Sequence, residues 1–200
     1  MKKKLILVGG GGHALSCIDV IRLENKFTIE GIIDKNPNNL LGLKHLGEDK
    51  ILFNKKLPVN NILISIGQIT DSKIRKKIFK KLKNLNYNFP IIKSPNSYIS
   101  KNTKIGIGTI IHHKAVINNL AIIGENCIVN TGSIIEHQAI VESHCHISTG
   151  TVINGNVRIS EGSFIGSNTV IKQGVKIGKN CIITAGKFIN KNIEDNTTIK

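Results

Sequence analysis

The chain has 200 residues and a mass of 21.9 kDa, and 28 Lys and Arg against 13 Asp and Glu give it a formal net charge of +15. It has no Trp and only 4% aromatic residues, which argues against a nucleic-acid binder that stacks bases on rings. No apolar stretch reaches the length of a membrane span, and four cysteines without CxxC spacing indicate neither a disulfide framework nor a zinc knuckle. We expect a cytoplasmic protein with no nucleic-acid partner and no membrane insertion.

The first half of the sequence alternates between strand and helix patterns. In chain order it predicts a strand at 5–8, a helix at 14–24, strands at 28–33 and 60–66, a Lys-rich amphipathic helix at 71–85 and a short strand at 90–93. Such alternation is typical of a parallel α/β unit. The Pro95-Asn-Ser97 segment then predicts a boundary, with a Rossmann-like domain at 1–94 and a second domain at 95–200.

A glycine-rich loop follows the first predicted strand. Gly9-x-Gly11-x-x-Ala14 matches the dinucleotide fingerprint, and Asp34 lies 20 residues beyond Ala14. Glycines let the backbone approach a pyrophosphate at a helix N-terminus, and the acid binds a ribose hydroxyl. About 95 residues are too few for a full six-strand dinucleotide domain. We therefore favour a nucleotide or sugar-phosphate site over a redox NAD site, and a purely structural tight turn remains the alternative.

The second half contains a strict six-residue repeat. Ile or Val recurs at 16 consecutive positions from Ile99 to Ile189, and a small residue usually follows four positions later. This period predicts a left-handed parallel β-helix of hexapeptide repeats, in which three hexads form a coil of 18 residues. Three cysteines fall on the small inward position, so we interpret them as packing residues: Cys127, Cys145 and Cys181.

Polar residues outside the inward positions are free to carry chemistry. His137 follows Glu136, and Gly155 lies 18 residues later, directly above His137 on the next coil. An imidazole at such a turn suits a general base, and a solvated turn residue is the alternative. His144 and His146 flank an inward cysteine and share a face, but no third metal ligand suggests itself, so we predict no metal.

The whole chain resembles the bacterial sugar acyltransferases that join a small Rossmann-like domain to a left-handed β-helix. They include sialic acid O-acetyltransferases and N-acetyltransferases of nucleotide-linked 4-amino-4,6-dideoxy sugars. The resemblance rests on six segments: Leu5-Ile-Leu-Val-Gly-Gly-Gly-Gly-His13, Ile33-Asp34, Ile64-Ser-Ile-Gly67, Ile74-Arg-Lys-Lys77, Ser133-Ile-Ile-Glu-His137 and His146-Ile-Ser148.

The resemblance implies a role for each matching residue. His137 would deprotonate the acceptor amine or hydroxyl, with Glu136 and Asn130 completing the catalytic group, and Gly155 would offer its N–H to the thioester oxygen. The implied acetyl-CoA contacts are His146, Gly155, Gly166, Ala185 and Gly186. The implied nucleotide-sugar contacts are Gly11, Gly12, His13, Asp34, Lys35 and Gly67. Members of the family are homotrimers that hold CoA between adjacent β-helices.

Two departures from the family pattern stand out. Gln138 occupies the place after the base histidine where the family often has an acid, so Glu136 or another group must stabilise the imidazolium, or the base is weaker. Family chains usually continue through a Gly-x-Pro segment near the CoA adenine, whereas this sequence ends at Lys200, so either the grip on CoA is reduced or the sequence is truncated. Five lysines are candidates to meet the CoA phosphates instead: Lys172, Lys176, Lys179, Lys187 and Lys191.

The leading hypothesis is an acetyl-CoA-dependent N-acetyltransferase that acts on a nucleotide-linked 4-amino-4,6-dideoxy sugar for surface glycans. The glycine loop and Asp34 favour it, because a free sugar acid needs no nucleotide pocket. The alternative is O-acetylation of sialic acid or a related sugar acid. The charge of +15 fits two small polyanions, a nucleotide sugar and CoA.

Overall fold

The computed structural model describes residues 2–36, 42–48, 50–54, 57 and 59–200. Its N-terminal part is a four-stranded parallel sheet in the order β3-β2-β1-β4 with helices. The elements are β1 (Lys3–Val8), α1 (Gly12–Glu24), β2 (Phe27–Ile33), β3 (His45–Gly47), α2 (Ile51–Asn54), β4 (Ile62–Ile64) and α3 (Lys73–Asn84). The predicted α/β unit is therefore confirmed, and β3 and α2 are elements that the sequence pattern did not indicate.

The rest of the chain is a parallel β-helix built from two-residue strands. Its strands form parallel sheets of seven, six and five members, and each strand pairs with the strand one coil later. The strands are β5 (Ile92–Lys93), β6 (Tyr98–Ile99), β7 (Lys104–Ile105), β8 (Ile110–Ile111), β9 (Val116–Ile117), β10 (Ile122–Ile123), β11 (Ile128–Val129), β12 (Ile134–Ile135), β13 (Ile140–Val141), β14 (His146–Ile147), β15 (Val152–Ile153), β16 (Arg158–Ile159), β17 (Phe164–Ile165), β18 (Val170–Ile171), β19 (Lys176–Ile177), β20 (Ile182–Ile183), β21 (Phe188–Ile189) and β22 (Thr198–Ile199).

The interior of the β-helix contains the residues that the six-residue repeat predicted. The recurring Ile and Val residues form an aliphatic ladder. Together with small residues four positions after them, they make one buried cluster, which includes Cys127, Cys145 and Cys181. Burial raises the pKa of the Cys127 thiol to about 11, so this cysteine packs as a neutral group. Ser163 stacks in the same column, where its hydroxyl donates to the Gly178 carbonyl at 2.7 Å and accepts from the Cys181 N–H at 2.9 Å. Small inward residues thus fill the corners without leaving a polar group unpaired.

The β-helix begins and ends differently from the simple repeat. β5, predicted as the last strand of the α/β unit, pairs with β8 of the β-helix. At the other end Ile177 bridges Ile193, a separation of 16 residues rather than 18. Ile193 is the inward residue there, whereas Asp195, which the six-residue period would place inward, is exposed and accepts the Lys179 N–H at 2.7 Å. A two-residue shortening therefore closes the last coil.

The N-terminal sheet and α1 pack on one face of the β-helix. Leu5, Leu7 and Cys17 share a buried cluster with Ile110 and Ile128 of the seven-stranded sheet. These outward isoleucines would otherwise expose an apolar stripe to water, so their burial favours association of the two parts. Within the described ranges, no helix has the length and apolar character needed to cross a bilayer.

Arg75 of α3 joins the two parts of the molecule. Its Nη1 donates to the carbonyls of Ile64 at 2.8 Å and Ile66 at 2.5 Å, and its Nη2 donates to Asn126 Oδ1 at 2.8 Å. The side chain is 1% exposed, and this burial lowers its pKa to about 10, so it remains charged at neutral pH. Carbonyl dipoles from β4 and from a β-helix turn replace its hydration shell.

We expect Arg75→Lys to lower the free energy of unfolding by about 3–5 kcal/mol, because an ammonium cannot reach both carbonyls and Asn126 from one buried position. Arg158→Lys is the matched control. Arg158 forms an exposed ion pair with Glu142, which is worth about 0–1 kcal/mol. Denaturant titration of both variants measures the difference. Equal losses in the two variants would contradict the role given to Arg75.

Candidate functional site

The glycine loop after β1 is shaped for close approach. Gly9 has a φ of +105°, and a Cβ there would lie 2.4 Å from Ile66 Cγ1, so only glycine fits. Gly11 and Gly12 are exposed, and a Cβ on either would meet no atom within 4 Å. Because α1 begins at Gly12, the backbone N–H groups of its first turn lie beside this open space, and the Ala14 N–H already donates to the Gly11 carbonyl at 2.9 Å. The loop is therefore suited to hold an anionic group.

Asp34 closes one side of the loop. Its Oδ2 accepts the Gly10 N–H at 2.7 Å and its Oδ1 accepts the Asn36 N–H at 2.8 Å. The carboxylate is thus fixed at the end of β2 by backbone donors, and it is only partly buried. Lys35 beside it is exposed. The arrangement leaves lone pairs of a fixed carboxylate available to a hydroxyl donor.

His13 and Gly67 lie where the N-terminal part meets the β-helix. A Cβ on Gly67 would lie 3.4 Å from His13 Cβ, so the turn after β4 contacts the start of α1. The His13 ring centroid is 5.3 Å from that of His112 and 6.4 Å from that of His146. Three imidazoles, far apart in the sequence, therefore gather in one interdomain groove.

His146 is held in one tautomer. Its Nδ1 donates to the Gln68 carbonyl at 2.5 Å, which leaves Nε2 to accept from Asn130 Nδ2 at 3.2 Å. The Gln68 amide also donates to the His144 carbonyl at 3.1 Å. Sequence reasoning missed Gln68, because nothing in its local pattern reports that the turn after β4 inserts against the β-helix. The structure thus places the predicted residues Asn130 and His146 in contact.

Burial keeps the groove histidines neutral. Desolvation lowers the pKa of His112 and of His146 to about 4 each, and it lowers the pKa of His13 well below its usual value. For His146 the hydrogen bond to Gln68 opposes part of this effect. These imidazoles are therefore uncharged at neutral pH.

His137 lies elsewhere, on the turn after β12, and its side chain is exposed. Its ring rests on Gly155 of the next coil, where a Cβ would lie 2.7 Å from Nε2. Gly155 is buried, and among the described residues its N–H has no acceptor. An imidazole and a free backbone donor therefore lie side by side, as the 18-residue spacing predicted.

The polar neighbours of His137 differ from those that the sequence suggested. Its Nδ1 lies 3.4 Å from Gln138 Oε1, a weak contact with a neutral acceptor. Glu136 instead accepts from Asn118 Nδ2 at 2.8 Å on the preceding coil. The Glu136 carboxylate is thus hydrogen-bonded to the preceding coil and not to His137. The side chain near His137 Nδ1 is the amide of Gln138.

The remaining predicted acetyl-CoA residues lie on turns that follow the seven-stranded sheet. Gly166 is buried, and a Cβ there would lie 2.6 Å from Ala185 N. Ala185 and Gly186 are exposed, and Gly186 has a φ of +71°. Asn130 belongs to the same column of turns, after β11. The predicted lysines are exposed except Lys187, which is half-buried: Lys172, Lys176, Lys179, Lys187 and Lys191.

The candidate residues therefore divide into two groups within one chain. The first group surrounds the interdomain groove and the turns after the seven-stranded sheet, and includes His13, Asn130 and His146. The second is the pair of His137 and Gly155 on turns that follow the six-stranded sheet. Among the described residues, no hydrogen bond or ring contact joins His137 or Gly155 to His13, Asn130 or His146.

Two family models match segments of the chain. Residues 4–82 match the family of the PglD N-terminal domain, and residues 156–191 match the bacterial transferase hexapeptide family of six repeats. A search of curated protein sequences gives no significant match.

Solved structures match over nearly the full length. The acetyltransferase domain of PglB from Neisseria gonorrhoeae FA1090 is 26% identical, with a TM-score of 0.92 over 98% of this chain and 96% of that one. The same domain has been solved in complex with acetyl coenzyme A. PerB from Caulobacter crescentus, in complex with CoA and GDP-perosamine, is 26% identical, with a TM-score of 0.90 over 98% of this chain and 92% of that one. The expected resemblance to sugar acyltransferases is confirmed.

His144 lies near the groove but serves the packing of α3. It is 4% exposed, its Nδ1 accepts from Asn126 Nδ2 at 2.9 Å, and its ring meets Phe79 edge-on at 5.5 Å. Burial lowers its pKa to about 4. Its backbone adopts a φ of +63°, a conformation that asparagine takes at the equivalent turn positions of Asn126 and Asn156.

We expect stability to fall as the pH drops from about 6.5 to 4, because the unfolded chain then binds more protons than the folded one. Each buried histidine changes the free energy of unfolding by up to about 1.4 kcal/mol per pH unit in this range. Above about pH 6.5 its contribution to stability is fully present. His144→Asn keeps the turn and removes one titrating group. Urea unfolding at pH 7 and pH 5 should show a smaller loss in this variant, and an unchanged loss would contradict the assignment to His144.

Proposed function

We propose that this chain, which is similar over nearly its full length to the acetyltransferase domain of PglB and to PerB, acetylates the amine of a nucleotide-linked 4-amino-4,6-dideoxy sugar with acetyl-CoA. The observation that carries the proposal is the contact between His137 and Gly155. It pairs a candidate base with a free N–H donor, which are the two groups that acyl transfer from a thioester needs.

The chemistry follows from these two groups. His137 accepts a proton from the sugar amine while the amine nitrogen attacks the thioester carbonyl carbon. The Gly155 N–H donates to the developing oxyanion. Collapse of the tetrahedral intermediate breaks the C–S bond, and the CoA thiolate takes the proton from the imidazolium. The products are the amide and free CoA. The weak contact from the neutral Gln138 adds no charge to the ring.

The acceptor is assigned from the N-terminal part. The open loop at Gly11 and Gly12, the start of α1 and the fixed carboxylate of Asp34 suit a diphosphate and a ribose. PerB, which matches the whole chain, is in complex with GDP-perosamine. A net charge of +15 favours two polyanionic substrates. A nucleotide-linked sugar therefore accounts for the loop better than a free sugar acid does.

We further propose that the active enzyme is a homotrimer. The two groups of candidate residues lie on different corners of one β-helix, and a neighbouring chain is the simplest way to bring the second group to the first. In this arrangement His137 of one chain would face Asn130 and His146 of the next, with CoA between them.

The acceptor class is tested by thiol release from acetyl-CoA with two panels of substrates. We expect turnover with GDP-, UDP- or CMP-linked 4-amino-4,6-dideoxy sugars and none with free sialic acid. His137→Ala should lower kcat by at least about 10²-fold if the imidazole is the general base. Turnover of sialic acid alone would establish the O-acetyltransferase alternative, and a near-normal rate for His137→Ala would exclude this histidine as the base.

The trimeric site is tested by mixing two inactive variants. His137→Ala and His146→Ala each lack one group, but a mixed trimer contains interfaces where both groups are wild type. If the groups come from neighbouring chains, about one interface in four has both groups wild type after equal amounts of the two variants are refolded together. The mixture should then recover about one quarter of the wild-type activity. If both groups act within one chain, the mixture stays as inactive as its components.

A further inference from the structure

We propose that His13, Cys17 and His112 form a binding site for one Zn²⁺ ion between the N-terminal part and the β-helix. The ligand atoms that these three side chains offer all lie within 4.8 Å of one another. The sequence predicted no metal, because Cys17 and His112 are 95 residues apart and only the fold brings them together.

Rigid elements hold the three side chains. His13 and Cys17 are four residues apart on α1, so both lie on the same face of the helix. His112 directly follows β8, and that strand packs against α1 through Ile110 in the cluster that also contains Cys17. The site therefore combines a helix pair with one turn of the β-helix.

Three of the four ring nitrogens of this cluster are buried without a partner in the described structure, which is independent evidence for a ligand. His112 is fully buried, and within the described structure neither its Nδ1 nor its Nε2 has a hydrogen-bond partner. The buried Nε2 of His13 also has none. The neighbouring His113, in contrast, has a partner for both ring nitrogens: Nδ1 lies 2.7 Å from Ser94 Oγ, and Nε2 lies 2.9 Å from Asp19 Oδ2. Buried ring nitrogens normally find a partner, so these three atoms indicate a bound group.

The donor set matches zinc. Two imidazoles and one thiolate are typical zinc ligands, with bonds of about 2.0–2.1 Å to nitrogen and about 2.3 Å to sulfur. Tetrahedral geometry places such donors about 3.3–3.6 Å apart, so binding would draw the three donor atoms closer together than the 4.8 Å within which they now lie. Binding displaces the Cys17 thiol proton to solvent, so one proton leaves for each Zn²⁺ bound. Three protein ligands leave a fourth position for water.

A zinc ion here would link α1 to the β-helix at the edge of the groove. His13 is also one of the candidate nucleotide-sugar contacts, but none of the three ligands is His137 or Gly155, the pair that carries the proposed acetyl transfer. Metal binding can therefore be measured without substrate, and its failure would leave the proposed acetyltransferase untouched.

The test is a Co²⁺ titration of the full-length protein. Co²⁺ takes the same ligands as Zn²⁺ and gives a near-ultraviolet charge-transfer band only when a thiolate is bound. We expect one Co²⁺ per chain, displacement by Zn²⁺, and a higher thermal unfolding midpoint with Zn²⁺. Cys17→Ala should abolish the band, and His112→Ala should weaken Co²⁺ binding at least tenfold. Cys181→Ala, a buried cysteine in the β-helix interior, is the matched control and should keep the band.

A second measurement keeps the proposal testable if Cys17→Ala fails to fold. Zinc K-edge absorption of the wild-type protein with one equivalent of Zn²⁺ should count one sulfur and two imidazole nitrogens. Absence of binding at stoichiometric Co²⁺, a band that survives in Cys17→Ala, or a coordination shell without sulfur would each overturn the site.

Discussion

The buried guanidinium of Arg75 is the interaction on which the interdomain geometry depends. One side chain satisfies carbonyls at the end of β4 and Asn126 on a β-helix turn, without a carboxylate partner. Its two terminal nitrogens find oxygens in both parts of the molecule, whereas its buried Nε has no partner among the described residues. A buried charge needs such oxygens, so the contacts of the terminal nitrogens favour one register of the interface. Gln68 lies two residues after Ile66 in the same turn, and its carbonyl accepts from His146 Nδ1, which fixes the position of that ring. The arrangement of the interdomain groove thus depends on the oxygen atoms that surround the Arg75 guanidinium.

The β-helix supplies a different kind of constraint. Its interior accepts only an aliphatic residue and a small residue in each hexad, so its turns are left free to vary. Residues 18 positions apart on these turns stack, and the contact of His137 with Gly155 arises in this way. The fold therefore separates stability from chemistry. The ladder carries the hydrophobic burial, and the corners carry the functional groups.

The features that depend on a local period could be predicted from the sequence. The ladder, the inward cysteines and the stacking of His137 on Gly155 all follow from repeats of six and eighteen. The features that depend on contacts between distant segments could not. No pattern indicates that Gln68 reaches His144, or that His13 meets His112, because such contacts follow from docking of the two parts. The shortened last coil was also missed, since Ile193 falls outside the six-residue period.

The stacked corners also set fixed distances between residues of successive coils. Successive coils of a parallel sheet are about 4.8 Å apart, so positions along one corner differ by whole multiples of that step. From Asn130 to Gly166 is two steps, or about 10 Å, along the turns after the seven-stranded sheet. A donor that lies along this corner must be long, thin and extended, with its reactive end at a fixed rung. Gain or loss of one complete coil would move that end by one step. The two-residue shortening lies at the last coil, beyond these rungs, and so leaves their spacing unchanged.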